Sequence, residues 1–212
     1  GQTGEPQHQR KSRERKHGRQ GQRLPGLDPL RSERTVLRAL DPRIEVAGLG
    51  LDFSAALQLP ADLAEGRRVF FYPGSSIGNF APDDALALLR QIRAESAGGG
   101  LLIGVDLVKP VQTLEAAYDD ALGVTAAFNL NLLRHLNRLI GSNFEPAHWR
   151  HVALFGTQAS RIEMHLEARC AQHVAWPGGE RTFVAGERIH TENSYKTTLP
   201  AFRALLERAG FG

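Results

Sequence analysis

The stretch RRVFFYPGSSIGNFAPDDALALLRQIRAESAGGGLLIGVDLV, residues 67–108, decides the fold. It opens with a short apolar run over residues 67–72, which a Pro-Gly pair ends. Residues 83–95 carry Ala, Leu and Ile at helical spacing, which predicts a helix with one buried face. Three glycines follow, and residues 101–108 form a second continuous apolar run. Two nearly all-apolar strands joined by a helix indicate parallel pairing buried on both faces, so the sequence predicts an α/β fold.

Further elements are predicted on both sides of this unit. Upstream lie a helix over residues 30–40 and a strand over residues 44–51. Downstream, two helices precede β-rich stretches in close succession, which favour an antiparallel layer over further parallel units. The downstream helices are residues 111–119 and 124–140, the strands are 152–157, 161–166, 172–176 and 181–184, and a final helix covers 199–209.

This pattern divides the chain into four parts. Residues 1–23 hold seven Arg or Lys, two Glu and no apolar side chain, so we expect residues 1–24 to be a disordered basic tail. A partial α/β domain over 25–109 follows, then an inserted α+β subdomain over 110–194. Residues 195–212 supply a helix that returns to the α/β domain.

Composition limits the classes of function. Hydrophobic residues make up 42% of the chain, enough for a sizeable core, and no apolar run is long enough to span a membrane. Cys170 is the single cysteine, which suits the reducing cytoplasm. The basic tail permits nucleic-acid binding through phosphates, but a solvated tail or a mis-started reading frame explains it more simply, and we do not expect such a partner. We expect a monomer.

Two motifs follow predicted strands. Gly74, Ser76 and Asn79 lie in the PGSSIGNF loop at the carboxyl end of a parallel strand, where open α/β sheets bind ligands. An ordinary strand-to-helix loop explains the same residues about equally well. Asp52 and Phe53 follow the strand over 44–51, where a carboxylate beside an aromatic ring suits an adenine, although a surface Asp at a turn is commoner.

Two further motifs carry polar side chains at informative spacing. Tyr118 and Thr125 are placed to face one cleft, while Asp119 and Asp120 suit the cap of the next helix, a role that needs no function. In TENSYK, residues 191–196, Glu192 and Ser194 share one face if the segment is extended, where they suit the two nitrogens of an imidazole. A helix cap formed by Asn193 or Ser194 is the equal alternative.

Neither a metal site nor a serine hydrolase is predicted. Among the histidines after the tail, only His148 and His151 share a plausible ligand spacing, and neither has a nearby Cys or a compact acidic partner. The G-x-S-x-G pattern occurs in the sequence at residues 74–78 (GSSIG), within the PGSSIGNF loop, but we do not predict a Ser/His/Asp hydrolase from it.

Five motifs in order carry a resemblance to a known family. PGSSIGNF, LLIGVDLVK, AYDDALGVTAAFNLNLLRHLNR, RIEMHL and GERIHTENSYK together resemble the histidine-specific Nα-methyltransferases of ergothioneine biosynthesis, from about residue 30 to residue 212. The resemblance implies a class I (Rossmann-like) methyltransferase sheet, truncated, with an inserted substrate-binding subdomain. It also implies S-adenosyl-L-methionine as the cofactor and the α-amine of L-histidine as the methyl acceptor, trimethylated to hercynine.

The resemblance assigns roles to matching positions. Asp52 and Phe53 would contact the adenine of the cofactor. The residues assigned to the amino acid substrate are Gly74, Ser76, Asn79, Tyr118, Thr125, Met164, Glu192 and Ser194, where Ser76 replaces the family's usual Thr. Among these, Tyr118 would bind the carboxylate, Met164 would line the imidazole pocket, and Glu192 with Ser194 would bind the imidazole nitrogens.

The chain departs from the family at both ends. The glycine-rich turn that cradles the cofactor, the N-terminal substrate-contacting tyrosines and the closing strands have no counterpart in these 212 residues. We therefore expect a fragment that binds the cofactor poorly and turns over little. The alternative hypotheses are a non-catalytic remnant that binds a small molecule or a partner protein, and a nucleic-acid-associated protein that uses the basic tail.

Overall fold

A parallel pair of strands forms the α/β part of the structure. In the computed structural model, which describes residues 49–53, 56–60 and 66–212, β1 (Val69–Tyr72) pairs in parallel with β2 (Gly100–Ile103). They are connected by a short 3-10 turn, Ser76–Asn79, and by helix α1, Pro82–Glu95. A proline and two acidic residues in the first turn of α1 suit a helix N-terminus. The α/β prediction is confirmed, but the expected burial on both faces is not, because Val69, Phe71 and Leu102 on this strand pair are 76%, 69% and 61% exposed.

The core of this part lies between α1 and the last helix. Leu86, Leu89 and Ile92 on α1 are buried with Phe202 of helix α4, Leu199–Arg208. The Nε of Arg93 donates to the carbonyl of Gly210 at 2.7 Å, so the end of the chain is fixed against α1. The terminal helix therefore packs on the α/β unit.

The second predicted strand is shorter than expected, which corrects the prediction of a strand over 101–108. Its sheet pairing ends at Ile103, and the chain then forms an isolated parallel bridge between Leu107 and Thr197. The amide of Val108 donates to the carbonyl of Thr197 at 3.0 Å, and the amide of Thr197 donates to the carbonyl of Asp106 at 3.2 Å. An apolar run carries no information about which neighbour it pairs with, and here it changes partner midway.

The middle of the chain forms the antiparallel layer that the sequence predicts. Helices α2 (Val111–Tyr118) and α3 (Val124–Ile140) precede a three-stranded antiparallel sheet and a separate hairpin. The sheet has the order β3 (Trp149–Gly156), β4 (Arg161–Ala168), β7 (Arg188–Tyr195), and the hairpin joins β5 (Gln172–Trp176) to β6 (Gly179–Phe183). Because TENSYK begins within β7, its extended conformation replaces the alternative of a helix cap.

Two apolar clusters hold this layer together. Phe144, Trp149 and Phe183 pack edge-to-face or tilted, with ring centroids 5.1–6.1 Å apart, next to Leu133 of α3. A smaller cluster joins α2 to the sheet through Leu114, Ala153, Ile162 and Met164. Helix α2 is thereby fixed on the sheet that carries β7.

Several predictions fall outside the described residues. These are the basic tail, the helix over 30–40 and most of the strand over 44–51, whose last three residues are described and are not in a strand. Residues 51–212 form one compact unit, and the division at residues 24, 109 and 194 stays a prediction. In the described part of the chain, no helix has the length and apolar character that a membrane crossing requires.

Candidate functional site

The loop after β1 has a conformation set by two residues in the left-handed region. Gly74 has φ 78° and Ser75 has φ 59°, an unusual value for a residue with a side chain. The hydroxyl of Ser75 accepts the amide hydrogen of Asp106 at 2.8 Å. This hydrogen bond joins the loop after β1 to the segment after β2, so both line the same edge of the parallel pair.

The 3-10 turn then packs against β7. A Cβ added to Gly78 would lie 2.9 Å from the carbonyl oxygen of Tyr195, so only glycine allows this approach. The turn consequently brings the loop after β1 next to the strand that carries Glu192 and Ser194.

These elements enclose a cavity of about 540 Å³, within the range of small-molecule sites. The family resemblance assigns eight residues to the substrate, and six of them line this cavity: Gly74, Ser76, Asn79, Tyr118, Glu192 and Ser194. Ser75, Gly104, Val105 and Asp106 complete the lining. The polar residues come from the loop after β1, the segment after β2, the end of α2, and β7.

A buried lysine connects three of these elements. Lys196, whose side chain is fully buried, donates from Nζ to the hydroxyls of Tyr118 and Ser194 at 2.8 Å each. The same ammonium lies 3.0 Å from Oδ2 of Asp106 and over the ring of Tyr118, 4.5 Å from its centroid. The two hydroxyls are themselves 2.7 Å apart.

Histidine 151 fixes the end of α2 from the other side. The side-chain amide of Asn129 donates to Nδ1 of His151 at 2.9 Å, which leaves Nε2–H to donate to the carbonyl of Tyr118 at 2.7 Å. Both ring nitrogens of His151 are thus engaged, and it positions Tyr118 at the cavity.

The pKa values of the two carboxyl groups that line the cavity, Glu192 and Asp106, are shifted in opposite directions. Burial raises the pKa of the Glu192 carboxyl, and the charge of Lys196 opposes that increase in part. Burial also acts on Asp106, but hydrogen bonds and charge from Lys109 and Lys196 outweigh it and lower the pKa of its carboxyl. Asp106 therefore keeps its negative charge more readily, and Glu192 is the carboxyl group that more readily takes a proton.

The remaining predicted site residues lie elsewhere. Thr125 is half-buried at the start of α3, and its amide donates to the Asp120 carboxylate at 2.8 Å. Met164 is buried on β4, directly opposite Glu192 in the β4–β7 register. Neither lines the cavity. Asp52 and Phe53 are exposed, and the Phe53 ring contacts Tyr72 and Phe80 at 6.2 and 6.4 Å between centroids.

The sequence predictions missed three features of this region. The sequence prediction places Asp106 within a buried strand, although its position after an apolar run is a usable signal, and it gives Lys196 no role within its motif. A third feature is the cluster of Glu163, His165 and His190, in which one carboxylate oxygen and one nitrogen from each ring lie within 4.8 Å of one another. A register shift after Met164 sets His190 opposite His165, and no spacing in the sequence indicates it.

The strand ends of the α/β unit and the antiparallel sheet together line an open polar cleft, which is where α/β proteins commonly hold small molecules. The sequence profile described as "Histidine-specific methyltransferase, SAM-dependent" matches residues 28–212, and the chain belongs to that family. The family agrees with the resemblance drawn from the motifs.

Individual relatives give the same description. The chain is 40% identical over 185 residues to a histidine N-alpha-methyltransferase of Mycolicibacterium smegmatis, covering 85% of this chain and 57% of that protein. It is 40% identical to a histidine N-alpha-methyltransferase of Mycobacterium tuberculosis, covering 68% of this chain and 46% of that protein. The chain thus spans about half the length of these relatives. A solved S-adenosylmethionine-dependent methyltransferase from Clostridium acetobutylicum aligns with a TM-score of 0.38 and 11% identity, covering 86% of this chain and 60% of that one.

Proposed function

We propose that this chain is part of an enzyme that transfers methyl groups from S-adenosylmethionine to the α-amine of L-histidine, giving hercynine in ergothioneine biosynthesis. The observation that supports this most strongly is the convergence of Asn79, Tyr118, Glu192 and Ser194 on one cavity. A carboxylate and a hydroxyl on β7 suit an imidazole, while Asn79 and Tyr118 suit the amino and carboxylate groups of a free amino acid. Family membership supports the same substrate and cofactor.

Asp52 and Phe53 fit the adenine-binding role. The Phe53 ring is 43% exposed, which leaves a face for stacking, and Asp52 lies beside it with a carboxylate that can accept from an exocyclic amine. Below the Phe53 ring, the buried hydroxyl of Tyr72 has no hydrogen-bond partner within the described residues. When bound, the cofactor supplies an electrophilic methyl group on a sulfonium.

The residues of the cavity would act by positioning. Holding the amine in line with the methyl carbon supplies much of the rate, because the reaction is a direct displacement that needs no covalent enzyme intermediate. The amine must lose a proton before each attack. Asp106 is a poor base for this step, since Lys109 and Lys196 lower the pKa of its carboxyl, so we assign the proton to solvent.

Binding experiments test this proposal directly. Calorimetry of the purified chain should detect histidine binding, and because we expect weak cofactor binding, only a high concentration of S-adenosylhomocysteine should tighten it. Glu192→Ala should abolish the preference for histidine over an amino acid of similar shape with an apolar side chain, whereas Glu207→Ala on the exposed face of α4 should not change it. An unchanged preference in Glu192→Ala would refute the imidazole assignment, and no binding of histidine by the unaltered chain would refute the function.

A non-catalytic remnant that binds a small molecule or a partner protein is the remaining alternative. Ordered binding of histidine and S-adenosylhomocysteine in calorimetry favours the enzyme, and the remnant predicts that this ordered binding of both ligands is absent. We further propose a cytoplasmic protein, which the single free cysteine, Cys170, supports, and a monomer.

A further inference from the structure

The hydrogen bonds of Lys196 fix the direction of those around it. An ammonium has three hydrogens and no acceptor. Its three acceptors are Asp106 at 3.0 Å and the hydroxyl oxygens of Tyr118 and Ser194 at 2.8 Å each. Because Lys196 donates to both hydroxyls, neither hydroxyl hydrogen can point toward it.

The hydroxyls of Tyr118 and Ser194 therefore carry two hydrogens, and only one of the two can lie in the contact between their oxygens. The 2.7 Å contact between Tyr118 and Ser194 takes one hydrogen, whichever residue donates it. The other hydrogen must point into the cavity. The pair offers a bound ligand one donor, and the residue that donates within the pair is left only as an acceptor toward that ligand.

We propose that the cavity binds an imidazole ring together with one additional proton, held between the ring and Glu192. This inference rests on the function proposed above, in which Tyr118 donates to the carboxylate of the substrate. Ser194 then donates to Tyr118 and can only accept an N–H from the ring. Glu192 faces the other ring nitrogen, and that contact also needs a hydrogen: the ring carries both N–H groups, or the carboxyl is protonated.

The charges around Glu192 are compatible with this extra proton. The titratable groups that face it are Lys196 beyond the end of β7, Asp106 after β2 and Tyr118 at the end of α2. Met164, its cross-strand neighbour, does not titrate. Asp106 pairs with both Lys196 and Lys109, and within the described residues the Glu192 carboxylate has no ion pair of its own, which favours a cationic ring or a protonated acid in this partly buried cavity.

The opposite direction of the hydrogen bond between Tyr118 and Ser194 predicts no proton uptake. If Tyr118 donates to Ser194, the serine donates to a bare ring nitrogen, and a neutral imidazole with one N–H satisfies both Ser194 and an ionised Glu192. That arrangement takes up no proton, so proton uptake distinguishes the two directions.

Calorimetry at pH 8 in buffers of different ionisation enthalpy measures this uptake. Free imidazole, with a pKa near ~6.5, is neutral there, so binding of histidine should take up about one proton more in the unaltered chain than in Glu192→Gln. The comparison cancels any proton lost by the α-amine. The affinity for histidine should also fall about tenfold for each pH unit above the ring pKa. Equal proton uptake in the two proteins would overturn the inference.

A variant that keeps the charge of Lys196 tests the direction of the hydrogen bond. Tyr118→Phe leaves Ser194 free to donate to a bare ring nitrogen, so the extra uptake should be lost, whereas Tyr195→Phe, whose hydroxyl accepts from Arg161, should keep it. Full uptake in Tyr118→Phe would also overturn the inference. Absence of histidine binding to the unaltered chain would instead refute the proposed function.

Discussion

The phenol oxygen of Tyr118 lies 2.7 Å from the hydroxyl oxygen of Ser194, although 76 positions separate the two residues. Tyr118 ends α2, whose position depends on Leu114 packing against the sheet, and Ser194 lies on β7. The contact depends on that packing, so the following experiments separate effects on the cavity from effects on the surrounding fold.

Tyr118→Phe should weaken histidine binding and leave S-adenosylhomocysteine binding unchanged. A hydrogen bond to a charged group contributes about 1.5–3 kcal/mol, so the Kd for histidine should rise on the order of 10- to 100-fold. Calorimetry measures both ligands. Tyr195→Phe is the matched control, because its hydroxyl accepts from Arg161 and lies outside this cavity; an equal loss in both variants would contradict the assignment.

Gly78→Ala should destabilise the fold by about 1–3 kcal/mol, because the added methyl would lie 2.9 Å from the carbonyl of Tyr195 and force the turn away from β7. Thermal unfolding measures the change, and histidine affinity should fall with it. Gly100→Ala has no atom within 4 Å of the new methyl and should keep its Tm. A Gly78→Ala protein as stable as the parent would show that the turn and β7 are not in close contact.

Asp120→Asn should lower the Tm near neutral pH and have less effect in acid. Hydrogen bonds from the amides of Thr125 and Val124 lower the pKa of the Asp120 carboxyl to about 2, and these bonds cap α3. The unfolded chain binds this proton first, so the stabilisation is present above about pH 4 and is lost as the pH falls toward 2. Thermal scans across this range test it. Asp119→Asn is the control, because the amides at the start of α3 donate to Asp120.

His165→Gln should reduce the loss of stability that the parent protein shows on mild acidification. Burial, together with the charge of His190, lowers the pKa of the His165 ring despite the nearby Glu163 carboxylate. Below about pH 6.5 the unfolded state binds the proton more readily, so stability falls as the pH drops. The slope of Tm between pH 7 and 5 measures this, with the exposed His148→Gln as control. Identical slopes in all three proteins would refute the prediction.

Local patterns in the sequence were sufficient for most of the elements, but not for β7, which they leave between an extended segment and a helix cap, nor for the length of β2. The helical spacing of apolar residues predicts α3 over 124–140 and the extended run predicts β5 over 172–176, both with the bounds observed. The capping role of Asp120 and the antiparallel layer are confirmed as well. The helix, the strand and the cap depend on residues that lie close together in the sequence, which is the range over which side-chain periodicity acts.

The order of motifs along the chain also established the family, since residues 28–212 match its profile. The family resemblance of the motifs assigns eight residues to the substrate, and the fold brings six of them to one cavity. Which of them touch, and in which direction their hydrogens point, was not contained in those motifs.

Tertiary structure decided the connections between motifs. The bridge from Leu107 to Thr197 brings Lys196 to Asp106, and the register shift after Met164 sets His190 opposite His165. Both depend on which strand pairs with which, and in what register. Strand pairing is a competition among distant segments with similar local patterns, so the sequence determined the elements of the site while only the packed chain determined their contacts.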